Sequence, residues 1–114
     1  MEMIEPKVLI VILNYRTPDL TLNLIDNIHN RLDYENYDIY VVDNNSPDES
    51  AKILLENARI HGYIFNANQE NFGYASGNNI GVRYAIKYSY QYTWILNSDV
   101  ELRENNVLTH MISV

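Results

Sequence analysis

What most constrains this chain is an alternation of two hydrophobic periods. Lys7 to Asn14 reads KVLIVILN, a continuous β-branched apolar run of the kind found in strands buried on both faces. A strand covered on both faces needs helices above and below it, and the following residues supply them. Thr17, Pro18 and Asp19 offer an N-cap, a first-turn proline and a first-turn acid; Leu20, Leu24, Ile25, Ile28 and Leu32 then recur at helical spacing. Tyr37 to Asp43 (YDIYVVD) predicts a second strand. Ser46 to Glu49 predicts a capping box around Pro47, opening a helix with Ile53, Leu54 and Ala58 on its buried face and Leu55 at the margin; Gly62 ends it. Tyr63 to Asn66 predicts a short third strand, Ala67 to Phe72 a polar loop, Gly73 to Tyr88 a helix, and Tyr92 to Asn97 (YTWILN) a fourth strand. Asn106 to Val114 reads as one more helix. Alternating elements with short connections imply an α/β fold: a single domain over residues 1–114, Rossmann-like, with a mostly parallel sheet and flanking helices.

Composition removes several function classes. Eight Lys and Arg stand against fifteen Asp and Glu, a net charge of -7, so the basic footprint of a nucleic-acid or anionic-membrane binder is missing. The absence of cysteine excludes disulfide scaffolds, thiolate metal sites and cysteine nucleophiles. The longest apolar run, Val8 to Leu13, is too short to cross a bilayer, and Glu2 and Glu5 sit where a signal peptide carries positive charge. The expectation is a cytoplasmic protein.

In an open parallel sheet, ligands lie beyond the carboxyl ends of the strands. Those ends are polar here: Asn14-Tyr15-Arg16 after the first strand, Asp43-Asn44-Asn45 after the second, Asn97-Ser98-Asp99 after the fourth. The third crossover adds Asn71, Gly73 and, one helical turn on, Asn78 and Asn79. Turn formation explains any one of these clusters, whereas four on one edge indicate a binding crevice. Gly73, Gly77 and Gly81 recur every four residues, matching neither a dinucleotide fingerprint nor a P-loop. Gly77 and Gly81 suit close packing of the helix on the sheet or close approach of a ligand, while Gly73 stands at a helix start whose N–H groups suit a phosphate. Asp99 is placed to be one ligand of a hard cation whose shell is completed by substrate phosphates. Asp43 is placed to accept hydrogen bonds from a base or ribose. His29, His61 and His110 have no ligand-like pairing.

Four segments, VLIVILNYRTPDL (Val8 to Leu20), VVDNNSPDES (Val41 to Ser50), NFGYASGNNIGVRYA (Asn71 to Ala85) and WILNSDVEL (Trp94 to Leu102), resemble the start of family 2 glycosyltransferases, which have the glycosyltransferase-A fold. The likeness extends to rhamnosyltransferase-like members that build bacterial cell-surface polysaccharides. It implies that Asn14, Tyr15 and Asp43 contact the nucleobase and ribose of a nucleoside-diphosphate sugar. Asn71, Gly73 and Asn78 are expected among the nucleotide-sugar-binding residues, and the resemblance places the family's D-x-D motif at Asn97-Ser98-Asp99. The first acid of that motif is an amide here, so Asn97 is expected to hydrogen-bond the ribose or diphosphate. Asp99 keeps the role of ligand to a divalent cation, Mg or Mn. Many relatives carry an Arg where Asn78 stands.

The resemblance further implies inverting transfer from a UDP- or dTDP-sugar during polysaccharide synthesis, at the inner membrane face in a longer context. The chain ends about fifteen residues after Asp99, before the family's acceptor-binding part and catalytic base. A donor-binding half without transfer activity of its own is therefore expected. Two other readings stay open at this point: a non-catalytic interaction module, pairing into a homo-oligomer through an unprotected fourth-strand edge, and another nucleotide-binding α/β protein.

Overall fold

A computed structural model describes residues 6–71 and 73–99, without the side chains of Tyr74 and Ala75; the helix expected over Asn106 to Val114 lies outside them, as do Phe72, His110 and Val100 to Leu102. Seven elements alternate: β1 (Val8–Asn14), α1 (Pro18–Arg31), β2 (Tyr37–Asp43), α2 (Ser50–His61), β3 (Ile64–Ala67), α3 (Tyr74–Lys87) and β4 (Tyr92–Asn97). The strands form one parallel sheet in the order β3-β2-β1-β4. The apolar run of β1 occupies the centre, where every one of its residues is buried.

The faces of β1 divide its side chains between two cores. Val8, Ile10 and Ile12 pack with Leu24, Ile25 and Ile28 of α1 and Leu54 of α2, whereas Leu9, Val11 and Leu13 pack with Tyr40, Val42 and Ala85 on the α3 side. Gly77 and Gly81 let α3 lie close on that second face. A Cβ on Gly81 would fall 2.5 and 2.6 Å from the two methyls of Val11, and one on Gly77 would fall 2.7 Å from Leu13 Cδ1. Of the two readings open for these glycines, tight helix-to-sheet packing is the one observed.

Several sequence expectations need correction. Ser46 and Glu49 do not form a capping box: α2 starts at Ser50 with Glu49 as N-cap and no side-chain cap bond. Ser46 is drawn instead to the carboxylate of Asp43, where charge-assisted bonds are stronger than an ordinary cap. Thr17 is the N-cap of α1 but its hydroxyl also makes no cap bond. Leu20 and Leu55 are exposed, and Thr21 takes the buried position in the first turn of α1 because its hydroxyl reaches Asn14. β3 starts one residue later than expected.

His29 and His61 are structural. His29 Nε2 donates to the His61 carbonyl at 2.8 Å, its Nδ1 lies 2.8 Å from the Tyr37 hydroxyl, and His61 Nδ1 lies 2.8 Å from Asp26 Oδ1, which ties α1 to α2. Burial pushes the Tyr63 phenol up to about 12, so it remains a donor to the Leu54 carbonyl at any ordinary pH. No helix among the described residues is long and apolar enough to cross a membrane.

Candidate functional site

The strand order fixes where a site can form. From β1 the chain moves outward through β2 to β3, then crosses to the other side of β1 to form β4. Between β1 and β4 the order reverses, and neighbouring loops diverge beyond the carboxyl ends. A cleft of about 440 Å³ lies there, lined by Leu13, Tyr15, Thr17, Leu20, Asn97, Ser98 and Asp99. Tyr15, Asn97 and Asp99, expected from sequence, come together in it. Thr17, Ser98 and Leu20 join them, and the exposure of Leu20 follows from its place on the cleft wall.

Asn14 and Asp43 lie beneath the cleft, only 0% and 1% exposed. Asn14 Nδ2 donates to Asp43 Oδ1 at 2.9 Å, the Ser46 hydroxyl donates to the same oxygen at 2.6 Å, and the Ser46 N–H donates to Oδ2 at 3.0 Å. Ser46 Oγ in turn accepts the Arg16 N–H at 2.9 Å. That bond steadies a turn in which Arg16 takes the left-handed conformation, φ 63°, uncommon for a side-chain-bearing residue. Asn14 Oδ1 accepts from Thr21 Oγ1 at 2.7 Å and from Thr17 Oγ1 at 3.3 Å. In this arrangement the polar atoms of Asn14 and Asp43 serve one another and the two turns. Tyr15, on the turn they support, is the member of that group that faces outward, 42% exposed, with the Arg16 guanidinium 5.9 Å from its ring centre.

Asn71, Gly73 and Asn78 are not among the residues that line the cleft, and Asn71 and Gly73 belong to a separate cluster. Asn44 Nδ2 donates to Asn71 Oδ1 at 3.0 Å and to the Gly73 carbonyl at 3.3 Å, while Asn44 Oδ1 accepts from Asn68 Nδ2 at 3.2 Å. Gly73, at φ 85° and ψ 173°, adopts a backbone conformation essentially reserved for glycine; a Cβ there would meet nothing within 4 Å, so conformation rather than crowding demands it. Asn78 is buried and its Oδ1 has no hydrogen-bond partner among the described residues. Sequence reasoning missed Asn44 and Asn68 as the anchors of this loop, because polar residues at strand ends look alike until their partners are known.

Among the described residues the lining offers a cation oxygen donors, among them the exposed Asp99 carboxylate, the Asn97 amide and the Ser98 hydroxyl. Among the described residues no group of three or more His, Cys, Asp or Glu could hold a metal ion. Such a set fits magnesium or manganese with most of its shell drawn from phosphate and water, and it does not fit zinc. A second cleft of about 410 Å³, lined by Asp38, Ile39, Ala58, Arg59, Gly62, Tyr63 and Ile64, lies at the opposite, amino end of β2 and β3.

Residues 8–114 match the model of the family described as Glycosyl transferase family 2. Among solved structures, the chain is similar to a mannosyltransferase from Pyrobaculum calidifontis, PcManGT, in complex with GDP-Man and Mn2+. The TM-score is 0.83 at 22% identity, over 96% of this chain and 32% of that one. It is also similar to S. aureus TarS 1–349 in complex with UDP-GlcNAc, with a TM-score of 0.73 at 17% identity, over 94% of this chain and 30% of that one. The chain thus spans about a third of the length of these structures. At such identities the likeness shows the fold, an α/β sheet shared with these transferases. No curated protein sequence gives a significant match.

Proposed function

The chain belongs to glycosyl transferase family 2, and from that membership we propose that its β1–β4 cleft binds a nucleoside-diphosphate sugar. The chain would serve as the donor-binding part of an inverting glycosyltransferase in polysaccharide synthesis. The observation that carries this reading is the meeting of Tyr15, Asn97 and Asp99 in one cleft at the reversal of strand order. The GDP-Man, UDP-GlcNAc and Mn2+ complexes of proteins with the same fold support a nucleotide sugar and a divalent cation. UDP- and dTDP-sugars are the donors proposed first.

The roles follow from position. Tyr15, with Leu13 and Leu20 beside it, gives an aromatic and apolar wall for the base, and Asn14 and Asp43 hold the turn that carries it. Asn97 supplies an amide for the ribose or diphosphate. Asp99, with Ser98 beside it, would hold Mg or Mn, which when bound offsets the charge of the diphosphate leaving group. Asp99 is the one carboxylate in the cleft lining among the described residues and would be taken up by the cation, so no described lining group is left to deprotonate an acceptor. Donor binding without transfer is the expected behaviour of these 114 residues alone.

Calorimetric titration with UDP, dTDP and GDP, with and without Mn2+, tests this reading. Binding should require the metal, and Asp99→Ala should weaken it at least tenfold, as loss of one charged ligand implies. Equal affinity with and without Mn2+, or in wild type and Asp99→Ala, contradicts it.

A second proposal concerns β4, which is an edge of the sheet among the described residues and leaves Tyr92 and Ile95 exposed. Such an edge favours pairing between copies of the chain. Light scattering should show dimers or larger species growing in with concentration; a monomer throughout the millimolar range contradicts this.

A further inference from the structure

Thr17 forgoes the cap bond its position invites and uses its hydroxyl across the reversal of strand order. Its Oγ1 lies 3.3 Å from Asn14 Oδ1 and 3.0 Å from Ser98 Oγ. An amide oxygen can only accept, so Thr17 donates its single proton to Asn14, and Ser98 must donate to Thr17. The bonds then run from Ser98 to Thr17 to Asn14, and from Asn14 to Asp43. This chain links the end of β4 to the ends of β1 and β2. The β1–β4 pairing itself stops at Leu13 and Asn97, so the hydroxyl bridge is a tie beyond the ladder, one residue before Asp99.

We infer that Thr17 is a positioning residue: through Ser98 it fixes the turn bearing Asp99 against the turn bearing Tyr15, coupling the cation end of the donor cleft to its base end. This rests on the donor-site reading above. An isosteric change isolates the hydroxyl. Thr17→Val removes it while keeping the side-chain shape, and Thr21 still satisfies Asn14 Oδ1. Thr17→Ser retains it.

Two measurements test the inference on the whole chain: UDP affinity with and without saturating Mn2+, and the 15N-relaxation order parameters of Ser98 and Asp99. In Thr17→Val the metal-dependent affinity should fall about three- to tenfold, the effect of one hydrogen bond. The order parameters of Ser98 and Asp99 should drop. Thr17→Ser should stay within about twofold of wild type on the same hydrogen-bond argument. Wild-type affinity and order parameters in Thr17→Val overturn the inference, as does Thr17→Ser impaired as much as Thr17→Val. If the wild-type chain shows no metal-dependent binding while Thr17→Val still loosens Ser98 and Asp99, the donor-site reading is what fails, and Thr17's role in donor binding falls with it.

Discussion

Asp43→Ala should cost about 3–5 kcal/mol of stability, because it strips the acceptor from three buried or half-buried donors at once. Asn14 Nδ2, the Ser46 hydroxyl and the Ser46 N–H all end on this carboxylate, and Asn14 is fully buried. For a domain of this size the corresponding fall in Tm is on the order of 10–20 °C. Asp43→Asn keeps one oxygen for Asn14 and Ser46 but turns an amide N–H₂ towards the Ser46 N–H, so it should lose less, about 1–3 kcal/mol. Thermal unfolding followed by circular dichroism measures both. The damage should extend to the cleft, since Ser46 also holds the Arg16 N–H in the turn beside Tyr15. An Asp43→Ala protein that melts within about 2 °C of wild type, well under the shift for 1 kcal/mol, would show that the network is incidental.

Gly81→Ala is the second large effect, and its sign runs against helix propensity. Alanine in place of a mid-helix glycine should stabilise a helix by about 1 kcal/mol. Here the new Cβ would sit 2.5 and 2.6 Å from both methyls of Val11 and 3.1 Å from its Cβ. Val11 is fully buried on the central strand and stiff at χ1, so it cannot swing aside and α3 must lift off the sheet. Overpacking of this kind costs about 1–3 kcal/mol and sometimes more; with the propensity gain absorbed, a net loss of up to about 2 kcal/mol is expected. Gly77→Ala provides the contrast. Its nearest clash, at 2.7 Å, is with the end of the Leu13 side chain near the open cleft, which can turn away, so that variant should be close to neutral. Adding Val11→Ala to Gly81→Ala should recover part of the loss in a double-mutant cycle. Chemical denaturation of the wild type, the three single variants and the double variant gives the comparison, and a Gly81→Ala chain more stable than wild type would refute the packing account.

The elements themselves were legible because β1 is continuously apolar and the helices carry their own punctuation. Pro18 and Gly62 sit where sequence reasoning placed them, and β2 and β4 match their expected bounds. The errors came where a side chain had two uses. Ser46 and Thr17 both fit the pattern of helix caps, and both serve instead a buried carboxamide–carboxylate pair that local sequence cannot reveal. Burial within the site was no more legible. The family resemblance implied Asn14, Tyr15 and Asp43 together as ligand contacts. The fold separates them into a supporting layer, Asn14 and Asp43, and an exposed residue, Tyr15, since burial depends on how adjacent strand ends meet. Leu20 looked like a core residue by spacing and lines the cleft, because α1 begins at the rim of the sheet.

The central claim is that a nucleotide and its cation occupy the carboxyl-end cleft between β1 and β4. Paramagnetic broadening of backbone amide signals by Mn2+, recorded with and without UDP, tests this most directly, because it locates the ion as well as detecting it. The account predicts that adding UDP concentrates the broadening on Tyr15, Ser98 and Asp99 and leaves Arg59, Gly62 and Ile64 at the opposite cleft sharp. Broadening centred on Arg59 and Gly62, or broadening indifferent to the nucleotide, would contradict it.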